Sequence, residues 1–189
     1  SEAGIDTRWV RKDPDHATLF STCFVYYGGE GGNITASNSA AATLEVRDLG
    51  QGAELMRMSA GRCIALCLPE VSLDIRRKFL KLATECGNFR VASFTRMEIA
   101  PAQAMNLFSF VDLLAINEEE ASALVGYAYT PENAEKFLAR CSKILMAVQP
   151  AIRIIVSAGA NGAYGFENGK WNYCPAPRVP VVSTGGAGD

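Results

Sequence analysis

Three short segments carry residues whose types and spacing suit chemistry on a charged ligand. Asn117 and Glu120 follow the apolar stretch 111–116 (VDLLAI) and stand three apart, so they share one face of a helix's first turn. Acids there also complement the positive end of the helix dipole, so capping alone accounts for them equally well. Ser157-Ala158-Gly159-Ala160-Asn161-Gly162 directly follows the strand candidate 152–156. Open α/β sheets place ligands at such strand ends, although a Gly turn into a hairpin reads the same way. Ser183-Thr184-Gly185-Gly186-Ala187-Gly188-Asp189 bares backbone N–H groups and then presents an acid. Bare N–H groups at a helix start bind anions, and an acid beside them accepts a proton. Taken alone, the segment is also what a Gly-rich tail looks like. A fourth Gly cluster, 28–33, lacks the GxxxxGK[ST] spacing and opens no helix, so it reads as a connection between two extended strands.

The elements that must position these segments alternate. Residues 18–27 (TLFSTCFVYY) have the Thr, Val, Phe and Tyr content of a strand, and a second extended piece and a Ser/Ala stretch follow over 35–43. Residues 63–68, 89–94, 111–116 and 152–156 are apolar runs of strand length. Between them, Ser72 is placed to cap a helix running to about Cys86, and Asn117 to Val125 reads as a short helix stopped by Gly126. Thr130-Pro131 opens another, with Phe137, Leu138, Cys141, Ile144, Leu145 and Val148 on one face and Pro150 beyond its end. Asn168-Gly169 inside YGFENGKWNY is a tight hairpin signal. Strand–helix alternation predicts an α/β fold with a mainly parallel sheet and flanking helices. Residues 1–60 read as a small β appendage and 61–189 as the α/β core.

Composition sets the outer bounds. The 189 residues hold 18 Lys+Arg against 20 Asp+Glu, a net charge of −2, with 49% apolar and 20% charged residues. That is the balance of a globular domain that buries roughly 70% of its unfolded surface. No basic block marks a nucleic-acid partner, and no apolar run reaches the roughly 18 residues of a membrane span. Residues 1–6 do not read as a signal peptide. The six cysteines have a single His, His16, for company, which is a poor zinc set; they read as free thiols in a reducing, cytoplasmic setting. No GxGxxG follows an early strand, which argues against a nicotinamide-dependent oxidoreductase.

The order strand–Asn-x-x-Glu–helix, strand–Ser-x-Gly-x-x-Gly–hairpin, then Ser-Thr-Gly-Gly-Ala-Gly-Asp resembles the ribokinase-like (PfkB) carbohydrate kinase family, over most of the chain. Gly4-Ile5-Asp6-Thr7 is similar to the segment before that family's lid, and 18–44 to the lid strands and the return into the core. The resemblance implies a ribokinase-like fold with a small β lid and ATP-dependent phosphoryl transfer to a sugar hydroxyl. It implies Asp189 as catalytic base and Gly186, Ala187 and Gly188 as the anion hole. It implies Asn117 and Glu120 as holders of Mg²⁺ and its waters, Ser157, Gly159, Gly162 and Thr184 as nucleotide contacts, and Glu70 as a sugar contact. ATP and Mg²⁺ are the implied cofactors, and a homodimer through the lid is the implied assembly.

Departures sharpen the expectation. Ser183 stands where members often carry Asp, which weakens the case for the neighbouring monovalent cation that the resemblance implies, and Ser93-Phe94-Thr95 stands where many carry Asp or Asn. The family's first βα units would precede Ser1 and a helix would follow Asp189. The 189-residue chain is therefore expected to be an internal piece with little or no activity by itself. The alternative is a non-catalytic, truncated kinase-like module for binding or assembly.

Overall fold

The computed structural model describes residues 4, 6–7, 10–25 and 31–178. They form two compact units. One runs from the start of the chain to Glu45 and includes Arg178; the other is Val46–Pro177. Residues 46–60, grouped with the appendage in the sequence reading, fold with the second unit.

In the first unit, β1 (Ser21–Val25) pairs antiparallel with β2 (Gly31–Thr35), Cys23 opposite Asn33. Residues 31–33, expected in the connection, instead belong to the ladder; residues 26–30 lie outside the described residues. Asp13 ties the segment before β1 to the 3₁₀ turn Ala40–Thr43: it accepts from Thr43 Oγ1 at 2.8 Å, from Arg11 at 3.0 Å and from the His16 N–H at 3.1 Å.

The second unit holds α1 (Leu49–Met58), β3 (Ile64–Cys67), α2 (Leu73–Glu85), β4 (Phe89–Ala92), α3 (Ile99–Ala104), β5 (Leu113–Asn117), α4 (Glu118–Val125), α5 (Ala134–Met146), β6 (Arg153–Ser157), β7 (Ala163–Glu167) and β8 (Lys170–Cys174). Its sheet has the order β3-β4-β5-β6-β7-β8, parallel through β6 and antiparallel in the last two strands. The β7–β8 turn uses Asn168 and Gly169 at φ 52° and 80°, the paired left-handed conformation that the Asn-Gly sequence favours.

The core lies on one face of this sheet. Ala92, Leu114, Ile116, Ile154 and Val156 point into it and meet Leu80, Leu124, Phe137, Cys141 and Leu145 from the helices. Residues alternating with these on β3 and β6 face the other way: Ile64 is 70% exposed, Leu66 54% and Ile155 41%.

Several local expectations change. Ser72 occupies the N-cap of α2 with extended backbone, but its side chain makes no cap hydrogen bond. Thr130 does cap, in a reciprocal box with Asn133 around the 3₁₀ turn Pro131–Asn133, and α5 begins one turn later. The helix ends at Met146, so Val148 falls past the amphipathic face and is exposed.

Candidate active site

The parallel strands all deliver their carboxyl ends to one edge of the second unit. Asn117 ends β5 and Ser157 ends β6, and the two are register partners in the parallel ladder. Two segments that lie 40 residues apart in sequence are thereby neighbours.

Asn117 is also the N-cap of α4. Its Oδ1 accepts the Glu120 N–H at 2.9 Å, while Glu120 Oε2 accepts the Asn117 N–H at 2.7 Å. This reciprocal box satisfies two helix-end donors, a contribution of about 1 kcal/mol. The capping expectation is therefore met, and it engages one of the two Glu120 carboxylate oxygens. Burial pushes the Glu120 carboxyl above its ordinary range. The Asn117 N–H pulls it back, and the Glu119 and Glu98 carboxylates push it up further. A half-buried carboxylate at the positive end of α4, with an amide oxygen beside it, offers the hard oxygen donors that Mg²⁺ or its waters take.

Past Ser157 the chain turns through Gly159–Asn161, and the Ala158 N–H donates to the Gly162 carbonyl at 2.8 Å. Gly162 has φ +83°, and a Cβ there would lie 2.3 Å from the Cys174 carbonyl oxygen, so only glycine fits. Gly159 also has positive φ, but a Cβ there would meet open space. The loop between β6 and β7 is thus clamped at one end and accessible at the other.

Glu70 lies in the turn after β3, at the same edge, with β4 between its strand and β5. It is exposed and takes φ +81°, a strained conformation for a non-glycine residue of the kind that gathers at functional sites. Thr184, Gly186, Ala187, Gly188 and Asp189 lie outside the described residues.

Sequence reasoning missed Arg76 and Glu98. Arg76 lies within the helix expected from Ser72 to about Cys86, where nothing in the sequence sets it apart from other polar helix residues. Its guanidinium lies 2.9 Å from Glu98, buried at the ends of β3 and β4. A cavity of about 540 Å³ lies at the opposite, amino-terminal end of the strands, lined by Arg90, Asp112, Arg153 and Glu167 among others. Its charges pair with each other, Arg90 with Asp112 and Arg153 with Glu167, and it contains none of the residues named above as candidates.

Among the described residues no group of three or more His, Cys, Asp or Glu side chains is arranged to hold a metal, and no helix is long and apolar enough to cross a membrane. All six cysteines are unpaired.

Residues 1–189 match the family described as pfkB family carbohydrate kinase. A ribokinase from Dictyostelium discoideum is 29% identical over 140 residues, covering 67% of this chain and 43% of that protein. The ribokinase from Cryptococcus neoformans var. grubii serotype A, solved in complex with ADP, superposes with a TM-score of 0.71 at 21% identity, covering 99% of this chain and 60% of that one. Arabidopsis thaliana ribokinase complexed with ribose and ATP gives 0.62 at 21% identity, covering 92% and 54%. The chain therefore spans roughly half the length of these relatives, and the structural likenesses establish the fold.

Proposed function

Because the chain belongs to the pfkB family of carbohydrate kinases, we propose that the protein carrying it transfers a phosphoryl group from ATP to a sugar hydroxyl. The observation that carries this reading is the side-by-side placement of Asn117 and Ser157 at the carboxyl ends of β5 and β6. An Asn/Glu pair and a Gly turn fall at one sheet edge, as ligand binding in an open α/β sheet requires.

In this mechanism catalysis is mostly positioning and charge stabilisation. Ser157, Gly159, Gly162 and Thr184 hold the nucleotide, and Glu70 meets the sugar. Asn117 and Glu120 would hold Mg²⁺, whose charge would screen that of the phosphates. The N–H groups of Gly186, Ala187 and Gly188 steady negative charge on the transferring group. Asp189 accepts the hydroxyl proton; it needs no raised pKa, because that proton becomes acidic only as the O–P bond forms. Ser183 in place of the common Asp disfavours a monovalent-cation site.

A lid-mediated homodimer is part of the proposal. A lone two-stranded sheet is marginal in water, and this one exposes Val25 and Ile34, with Phe20 just before it. The 189-residue chain alone is proposed to have little or no activity, and the protein to work in the cytoplasm.

The exposed Ile64, Leu66 and Ile155 favour a second reading, a non-catalytic assembly module, because an apolar sheet face of this kind invites association. A panel assay separates the two. The intact protein is incubated with ATP, Mg²⁺ and pentoses, hexoses, hexose phosphates or nucleosides. Sugar-dependent ADP release with a phosphorylated product supports the kinase. A panel in which no acceptor raises ADP release above the acceptor-free rate overturns it.

A further inference from the structure

Among the described residues Arg76 is the one charged residue that is buried, 2% exposed. It lies on α2, yet its polar contacts all point to the strand ends beneath the candidate site. Nε donates to Sγ of Cys67, the last residue of β3, at 3.4 Å. Nη2 donates to the carbonyl of Ser93, just past β4, and Nη1 donates to Glu98 Oε2 at 2.9 Å. The guanidinium also lies 4.3 Å over the Phe94 ring.

Glu98 carries the contact onward. The same Oε2 accepts the Thr95 N–H at 3.0 Å and closes the 3₁₀ turn Arg96–Glu98. That turn packs against α4, whose first turn contains Glu120. Glu98 is close enough for its charge to act on Glu120. A buried ion pair of this kind does little for stability that well-packed apolar groups would not do. The planar five-donor fork of Arg does something they do not, which is to fix three separate segments in one geometry.

We infer that Arg76 is a positioning residue of the candidate site: through Glu98 it fixes the turn after β4 against the first turn of α4, and so holds the Asn117–Glu120 pair beside Ser157. The catalytic consequence rests on the kinase reading, whereas the mechanical coupling does not.

The test is residue-resolved amide hydrogen exchange on the intact protein and on its Arg76→Met, Arg76→Lys and Glu98→Gln variants, with steady-state kinetics alongside. Arg76→Met is expected to speed exchange about tenfold or more at Thr95, which Glu98 holds, and also at Glu120, whose N–H is held by Asn117. Lys cannot span the three contacts, and Glu98→Gln breaks only the relay, so both should give a smaller rise at the same two amides. A rise at Thr95 with none at Glu120 would overturn the inference. Should Arg76→Met fail to fold, the other two variants decide on the same criterion. In a wild type active on a sugar, Arg76→Lys and Glu98→Gln should lower kcat while changing the KM for ATP less than kcat. Unchanged kcat in both would overturn the positioning role. A wild type inactive on every sugar would refute the kinase reading and leave the exchange criterion to judge the coupling.

Discussion

Asn117 and Ser157 sit directly opposite each other at the last rung of the β5–β6 parallel ladder. Each ends its strand and begins a turn that a ligand can reach: Asn117 opens α4, and Ser157 opens the loop to Gly162. Their adjacency follows from the βαβ crossover through α4 and α5, which returns the chain parallel and one strand over.

The dual use of the Asn117–Glu120 box can be separated by substitution. Asn117→Ala removes the acceptor of the Glu120 N–H and should lower stability by about 1 kcal/mol in chemical denaturation. Glu120→Gln keeps an acceptor for the Asn117 N–H, so its stability should stay close to wild type. Both should raise the Mg²⁺ concentration for half-maximal phosphoryl transfer, by about tenfold. Mg²⁺ dependence unchanged in both would confine the pair to capping.

The two loop glycines should behave differently. Gly162→Ala forces a Cβ onto the Cys174 carbonyl at positive φ and should cost more than about 2 kcal/mol. Gly159→Ala meets open space and pays only for its left-handed backbone, about 1 kcal/mol. Denaturation midpoints of the two variants check the order.

Burial pushes the Cys141 thiol from 9.0 up to about 12. The unfolded chain therefore loses this proton first as pH rises. Stability is unaffected by Cys141 below about pH 9 and falls between about 9 and 12, with a slope from this group of about 1.4 kcal/mol per pH unit. Cys141→Ala should flatten that fall. In native protein near neutral pH, thiol reagents should label exposed Cys23 and Cys174 well before buried Cys67 and Cys141.

Asp13 is held below the usual carboxylate range, chiefly by the Thr43 hydroxyl and then by His16 and the Asp15 N–H. Its contribution is present above the unfolded value of 3.8 and is lost as pH falls below it. Asp13→Asn should accordingly speed proteolysis or amide exchange in the first unit at neutral pH and blunt its acid sensitivity. Equal acid sensitivity in variant and wild type would contradict this.

What the sequence revealed and concealed has physical causes. Apolar runs such as 152–156 and the Asn-Gly hairpin are local signals, and local hydrogen bonding realises them. Asn117 and Glu120 were visible because a capping box spans only four residues. α1 escaped notice because Gly50 and Gly52 weaken its helical pattern, and α3 because Pro101 looks like a breaker, although it lies in the first turn where no N–H partner is needed. Arg76 was concealed for another reason. On a helical wheel it is one more polar residue, and its partner Glu98 lies 22 positions away, joined only when α2 packs against the end of β4.

The central claim, that this chain belongs to a phosphoryl-transfer enzyme whose base is Asp189, is tested most directly by Asp189→Asn in the intact protein. Sugar-dependent ADP formation and sugar binding would be measured on the same preparation. The account predicts that transfer falls by several orders of magnitude while sugar affinity stays near wild type. Wild-type turnover in the variant would contradict it.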